Sequence, residues 1–247
     1  MEFLGKPVTS LFENFYEAHV AAHSSSVEVT FHEIPDGAPS IRGGRHLEFG
    51  FARVDRMLPG KAEVHVRTGV PAAVFEHALA HELLHVVSNV LRFPVPALKP
   101  GIPANSPEMG IVIDLITIEC VANDRLLAPL GFDPGYIFQT RLQRLKQRVT
   151  ETSGATDDLS RPWAVRTTLH YIRALLDSGP AAISQVPLSL GKLPRIRAIG
   201  DKLYSEIAPL DLQNHGQRLG ALVSMRDALG LKGMVDIIEP GVRGGVR

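Results

Sequence analysis

The chain contains 247 residues, of which 45% are hydrophobic and 21% are charged, a composition typical of a globular protein long enough to bury a core. Lys and Arg together number 26, as do Asp and Glu, so the charge balance gives no support for a nucleic-acid or anionic-membrane partner. The single cysteine, Cys120, excludes internal disulfides and cysteine-based zinc clusters and predicts a reducing, cytoplasmic compartment.

Neither a signal peptide nor a membrane span is predicted. The first residues, MEFLGKPVTSLFENF, are partly acidic and lack a basic start followed by a long apolar run. The longest apolar stretch, residues 110–121, is short and contains Asp114 and Glu119, so it falls below the length of a membrane-spanning helix.

The N-terminal part predicts one helix and three strands. Apolar residues recur at helical spacing over residues 9–23. Strict alternation of apolar and polar residues then predicts strands over 26–34, 46–55 and 62–67. The alternation puts His32, His46 and His65 opposite the apolar side chains, where we expect them to face solvent. Because a strand beside a metal site can pair with an extended peptide, residues 64–67 could form such a rim; an ordinary interior strand is the alternative.

Residues 71–91 predict a buried helix that carries a polar stripe. The segment is apolar nearly all round, and the stripe consists of His77, His81, His85 and Ser88. Residues four apart lie one above the other on a helix, so His81 and His85 can bind one zinc ion. Glu82 then lies beside the metal, where a carboxylate can take a proton from metal-bound water. The alternative is a set of core histidines with ordinary hydrogen-bond partners.

The following segment predicts a loop and a second buried helix. Residues 92–107 contain five prolines and one glycine, which predicts a stiff, irregular loop. A serine, a proline and a glutamate at 106–108 are typical of a helix start. The helix is expected to run from Pro107 to near Gly131 and is apolar almost throughout.

The acidic residues of this second helix are candidates for a third metal ligand. Asp114, Glu119 and Asp124 are costly in apolar surroundings unless a positive charge compensates them. A catalytic zinc takes three protein ligands and leaves one position for water. Glu119 is the first choice, with Asp124 and Asp114 as alternatives. The metzincin pattern is excluded, because it needs glycine and histidine where Ser88 and Leu91 stand.

Two neighbours of Glu119 could support the site without binding the metal. Asn123 lies one turn after Glu119 on the same helix face, where an amide can orient a ligand. Asp124 could orient a histidine or pair with Arg125. The sequence leaves these roles open.

The two helices carry a resemblance to a known family. HELLH followed by IECVANDRLLAPLG is similar to the gluzincin-like metallopeptidases of the ImmA/IrrE type, in which an E-x-x-A-N-like segment supplies the third ligand. The matching positions are His81, Glu82 and His85, then Glu119 with Ala122 and Asn123. The resemblance spans at most residues 60–131. It implies a zincin-like α+β domain that cleaves a protein substrate.

The second half of the chain is predicted to be helical. Residues 131–154 are predicted to begin with a turn and to continue as a helix with a basic face, and apolar periodicity predicts further helices near 163–177, 193–208 and 211–229. The polar segment 151–162 is the best candidate for a boundary. We therefore expect a zincin-like domain over 1–150, a helical domain over 157–240 packed across the cleft, and a flexible tail over 241–247.

A peptidase site also benefits from a donor that stabilises the oxyanion. The candidates from the helical half are Tyr136, Arg166, His170 and Tyr171. His170 and Tyr171 are preferred, although a tyrosine or histidine at the edge of a core is the alternative for each.

These observations predict a zinc-dependent metallopeptidase acting on a peptide or protein. Zinc held by His81, His85 and Glu119 would activate water, and Glu82 would accept the water's proton and pass it to the leaving amine. One alternative is a non-catalytic regulator in which the metal joins two helices and the helical half binds a partner. Another is a zinc hydrolase of non-peptide amides. The oligomeric state is left undetermined.

Overall fold

In the computed structural model the protein has an α+β fold in which helix predominates over small sheets, as the sequence predicts. The structure describes residues 1–24, 26–35, 41–42, 45–46, 50–54, 60–151, 156–183 and 191–239. The predicted tail over 241–247 lies outside the described residues. Among the helices described, none combines the length and apolarity that crossing a membrane requires.

The chain divides into two compact units. The first comprises Met1–Phe93 and Asn123–Pro134, and the second comprises Pro94–Ala122 and Gly135–Arg247. This division differs from the predicted one, because the segments 94–122 and 135–150 belong with the helical unit. The predicted boundary over 151–156 falls mostly on residues outside the described ones.

The first unit contains three helices and several short strands. The helices are α1 (Ser10–His19), α2 (Ala21–Ser24) and α3 (Ala72–Val90). The strands are β1 (Glu2–Phe3), β2 (Lys6–Pro7), β3 (Glu28–Glu33), β4 (Ile41–Arg42), β5 (Arg45–His46), β6 (Gly50–Val54) and β7 (Lys61–Val66). The predicted helix over 9–23 is thus interrupted at Val20, and the three predicted strands correspond to β3, to β5 with β6, and to β7.

Strands β3, β7 and β6 form a three-stranded sheet with β7 in the centre. β3 runs parallel to β7, with His32 opposite His65, and β6 runs antiparallel to β7. Of the two possibilities left open for residues 64–67, an open rim and an interior strand, the structure therefore shows the interior strand for 64–66. Both sides of that backbone are already paired, which leaves no edge for an added strand.

The core of the first unit joins the sheet to α3. Alternate residues of β7, among them Val64 and Val66, are buried in one cluster with Leu79 and Leu83 of α3. Aromatic rings from α1 and from residues 128–134 complete the cluster; they include Phe12, Phe15 and Phe132. Because α3 is buried on most sides, as predicted, its polar residues lie in apolar surroundings.

The second unit is mostly helical. Its elements are β8 (Val95–Leu98), α4 (Pro107–Leu115), α5 (Thr117–Leu127, whose end belongs to the first unit), α6 (Gly135–Glu151), α7 (Pro162–Ile183), α8 (Pro194–Ile207), α9 (His215–Ala228) and β9 (Val235–Ile238). Helices α6 to α9 confirm the predicted ones. The apolar faces of α7, α8 and α9 pack around Ile118, Leu169 and Met225. Helix α6 packs with α7 and α8 in a separate cluster that includes Leu145 and Ile196.

Two predictions for this unit are wrong. The loop over 92–107 contains β8, which pairs antiparallel with β9; a two-stranded sheet tolerates Pro96, because a proline on an edge need not donate a hydrogen bond. The helix over 107–131 is two helices, since the chain tightens at Ile116, whose N–H bonds the carbonyl of Ile113 at 3.2 Å. Four of the six residues from 113 to 118 are β-branched, which lowers helix propensity there.

Candidate metal centre

Helix α3 brings three imidazoles into one buried row. The ring centroids of His77 and His81 are 6.1 Å apart, and those of His81 and His85 are 5.0 Å apart with an interplanar angle of 70°. His77 and His81 are buried and His85 is half-buried. The spacing of four residues thus aligns the rings on one helix face, as predicted.

Asp124 contacts two of these imidazoles through one carboxylate oxygen. Its Oδ1 lies 2.7 Å from Nδ1 of His81 and 3.3 Å from Nε2 of His77. An ionised carboxylate only accepts hydrogen bonds, so Nδ1 of His81 donates the proton. This leaves Nε2 as the nitrogen of His81 with a lone pair, which is the arrangement that second-shell carboxylates impose on metal-binding histidines. Three roles were open to Asp124: third metal ligand, orienting group for a histidine, and partner of Arg125. Orienting a histidine matches these contacts.

The neighbouring Asn123 fixes the helix itself. Its side-chain amide donates to the backbone carbonyl of His81 at 3.2 Å. Both Asn123 and Asp124 are buried. Asn123 and Asp124 therefore hold α3 at His81 through two hydrogen bonds. One joins the Asn123 side chain to the backbone carbonyl of His81, and the other joins the Asp124 carboxylate to the His81 imidazole.

Helix α3 carries two further buried carboxylates. Glu82, the predicted base, is 8% exposed. Glu76, at 4% exposure, accepts from the backbone N–H of Thr9 at 2.8 Å and from its hydroxyl at 2.7 Å. Glu76 thus anchors the start of α1 to α3, a role that no local sequence signal indicates.

Asp114, one alternative for the third ligand, is compensated by an arginine. Arg166 Nε donates to its Oδ2 at 2.6 Å, and His170 Nε2 lies 3.7 Å from the same oxygen. All three residues belong to the second unit. The prediction that a buried carboxylate needs a positive partner holds here, but the partner is a guanidinium rather than a metal.

Glu119, the preferred third ligand, lies in the first turn of α5, in the part of that helix that belongs to the second unit. Within that unit it interacts with the buried Arg218, whose pKa is lowered by burial and raised in turn by the charge of Glu119. Arg218 also donates from Nε to the carbonyl of Leu212 at 2.8 Å. The assignment of Glu119 as a ligand stays a prediction.

The candidates for an oxyanion donor also belong to the second unit. Tyr171 is buried and donates its hydroxyl proton to Asp201 at 2.7 Å, while Tyr136 is 53% exposed. Arg166 and His170 face Asp114, as described above. Tyr171, Arg166 and His170 each thus have a partner within the second unit, and a catalytic role for His170 or Tyr171 stays a prediction.

One histidine pair departs from its expected surroundings. His32 and His65 were expected to face solvent; their rings stack with centroids 4.5 Å apart and an interplanar angle of 20°. Both are half-buried. The alternation of the strands places each on the outer face, but only the register between β3 and β7 brings them together.

Comparison of the chain with models of known protein families, with curated proteins and with solved structures gives no match. A function for this chain therefore has to follow from the chemistry of its own residues.

Proposed function

We propose that the chain is a zinc-dependent metallopeptidase that hydrolyses peptide bonds with Glu82 as general base, in the manner of the ImmA/IrrE type that its sequence resembles. The observation that carries this proposal is the contact between Asp124 and Nδ1 of His81 at 2.7 Å, next to the imidazole of His85. A carboxylate on Nδ1 directs Nε2 outward as a ligand and increases its basicity.

The donor set suits zinc. Two imidazoles are borderline-soft ligands of the kind that zinc prefers, and a carboxylate commonly completes a catalytic site. The resemblance supplies Glu119 as that carboxylate. His81, His85 and Glu119 would then hold the ion, while Asp124 orients His81 and Asn123 fixes the backbone beneath it.

The catalytic proposal assigns the proton to Glu82. A zinc ion bound there would lower the pKa of its water and polarise the substrate carbonyl. Glu82 accepts a proton at its carboxylate from the attacking water and delivers it to the nitrogen of the leaving amine. Its position next to His81 in the sequence puts it on the same helix as the two histidine ligands, and its 8% exposure limits competition from bulk water for that proton.

The experiment that tests this proposal is Glu82→Gln. The amide cannot accept the proton, so we expect hydrolysis to fall by about 10²-fold or more, while zinc content and folding stay at the wild-type level. Cleavage is measured by mass spectrometry on a library of peptides, with zinc quantified by elemental analysis. Glu17→Gln, an exposed change on α1, is the matched control and should leave both unchanged. Wild-type hydrolysis by Glu82→Gln would exclude Glu82 as the base.

A non-catalytic, structural role of the same centre is the second candidate. His77 and Asp124 are buried beside His81, and the three ligand atoms lie within 4.8 Å of one another. A closed set of buried donors is typical of a structural metal site. Zinc-loaded wild-type protein that cleaves no member of peptide or amide libraries, yet loses its fold with a chelator, would support this candidate over the peptidase. Cleavage confined to non-peptide amides would instead indicate an amide hydrolase.

A further inference from the structure

A second cluster of metal-binding side chains lies on the three-stranded sheet. His32 and His65 are opposite each other in the parallel register of β3 and β7, and their rings stack at 4.5 Å. Nε2 of His65 is 3.6 Å from Oε2 of Glu63, two residues earlier on the same strand. One ligand atom from each of the three residues lies within 4.8 Å of the others.

This cluster is on the face of the sheet opposite α3. Val64 and Val66 of β7 are buried with the apolar residues of α3, and successive side chains of a strand point to opposite faces. Glu63 and His65 therefore point away from α3, together with His32. The cluster shares no residue with the HExxH motif, so it is independent of the function proposed above.

The cluster is both accessible and incomplete in its hydrogen bonding. The side chains of Glu63 and His65 are 46% and 22% exposed, which opens one flank to an ion from solvent. Nε2 of His32, in contrast, is shielded from solvent and has no hydrogen-bond partner among the described residues. A buried imidazole nitrogen without a partner is unfavourable, and a metal ion held with His65 and Glu63 would supply one.

We propose that His32, Glu63 and His65 form a second transition-metal site, with zinc as the ion that we expect it to bind. Two imidazoles and one carboxylate are sufficient for a divalent ion of this class, with water in the remaining position. Because the ligands come from two strands, the ion joins the edge strand β3 to the central strand β7. The site then stabilises the sheet against which α3 packs.

The experiment is a titration of chelator-treated, full-length protein with Zn²⁺ alone, in competition with a chromophoric chelator. We expect two ions per wild-type chain and one ion for the double variant His32→Gln, His65→Gln. The double variant His81→Gln, His85→Gln should also bind one ion. Circular dichroism checks that each variant is folded. A folded His32→Gln, His65→Gln protein that still binds as many ions as the wild type overturns the proposal.

A milder variant covers the case in which the double variant does not fold. Glu63→Gln removes one ligand from a half-exposed position, and we expect the affinity of the sheet site to fall about tenfold or more. Glu28→Gln is the matched control, because Glu28 lies on the same sheet face with its side chain 71% exposed and should leave zinc binding unchanged. If Glu63→Gln and the wild type bind zinc with equal affinity, the proposed site of His32, Glu63 and His65 is overturned.

The same titration separates this proposal from the peptidase proposal. A single wild-type ion that disappears only in His32→Gln, His65→Gln supports the sheet site and removes the metal from the peptidase proposal. A single ion that disappears only in His81→Gln, His85→Gln does the reverse. If the wild type binds two ions, loss of both in either double variant excludes two independent sites and overturns the sheet site.

Discussion

Asp124 supports two imidazoles with one carboxylate oxygen, so its charge is central to the candidate metal centre. Replacing it with asparagine keeps the shape but removes the charge that makes His81 a stronger ligand. We expect Asp124→Asn to lower zinc affinity by about 10- to 100-fold. The measurement is a competition titration with a chromophoric chelator.

Asp114→Asn is the informative comparison for that variant. Asp114 is also a buried aspartate, but its carboxylate bonds Arg166 at 2.6 Å. We therefore expect Asp114→Asn to destabilise the second unit and to leave zinc affinity at the wild-type value. A loss of affinity in Asp114→Asn as large as that in Asp124→Asn would show that Asp114 takes part in the centre.

Tyr171 is expected to make the stability of the fold depend on pH in the alkaline range. Burial and the hydrogen bond to Asp201 raise the pKa of its phenol. A group whose pKa is raised on folding contributes stability that is complete below its unfolded-state pKa, about 10 for tyrosine, and that is lost as the pH rises toward the folded-state value. We expect Tyr171→Phe to cost about 1 kcal/mol near neutral pH through the lost hydrogen bond and to weaken the decline of stability above about pH 10.

Urea unfolding between neutral pH and the alkaline range measures both effects of Tyr171→Phe. Tyr136→Phe is the control, because that side chain is 53% exposed and its loss should change neither value. An alkaline decline identical in Tyr171→Phe and the wild type would assign the pH dependence to other groups.

The packing of helix α8 on α7 depends on a glycine. A Cβ at Gly200 would overlap Cδ1 of Tyr171 and come within 2.7 Å of its Cε1. Because the ring is buried and bonded to Asp201, it cannot move away easily. We expect Gly200→Ala to destabilise the protein by about 1–3 kcal/mol, as measured by urea unfolding.

Gly220→Ala on α9 is the matched control for that variant. No heavy atom lies within 4 Å of a Cβ built there, so only helix propensity changes, and alanine should stabilise the helix by up to about 1 kcal/mol. Equal effects of the two substitutions would mean that α7 and α8 separate readily at Tyr171.

Local patterns were sufficient to predict the helix that carries the histidines of the candidate metal centre and two strands of the sheet beside it. The polar stripe on an otherwise apolar segment predicted α3, and strict alternation predicted β3 and β7. The break at Ile116 and the pairing of β8 with β9 were missed. The latter joins segments about 140 residues apart in the sequence, and no local signal specifies such a partner.

The contacts between side chains were predictable only in part. The spacing of His81 and His85 follows from helix geometry alone, and an orienting role for Asp124 was among the alternatives. The pairs formed by Asp114 with Arg166 and by His32 with His65 depend on tertiary packing and strand register. Such contacts cannot be predicted from sequence patterns, because the number of residues between the two partners follows no regular period.

At the scale of the whole molecule, Glu119 belongs to the second unit, but both histidine ligands belong to the first, where metal binding can be followed on a single helix. His81, His85 and Asp124 all belong to the first unit, and α3 is the helix around which its core forms. A ligand that binds only the folded state stabilises it by about 2.7 kcal/mol at a concentration of 100 times its Kd. We therefore expect zinc to slow amide hydrogen exchange in α3, and a chelator to reverse that protection.

Two variants determine whether this protection comes from the proposed centre. Glu82→Gln should retain the zinc-dependent protection of α3, because Glu82 is assigned to proton transfer and not to metal binding. His81→Gln with His85→Gln should abolish it. Hydrogen exchange followed by mass spectrometry reads the peptides of α3 separately from those of α8, which carries none of the proposed ligands and serves as an internal reference in the second unit. Equal protection in the His81→Gln, His85→Gln protein and the wild type would exclude α3 as the metal-binding helix, and with it the hydrolytic function proposed for this chain.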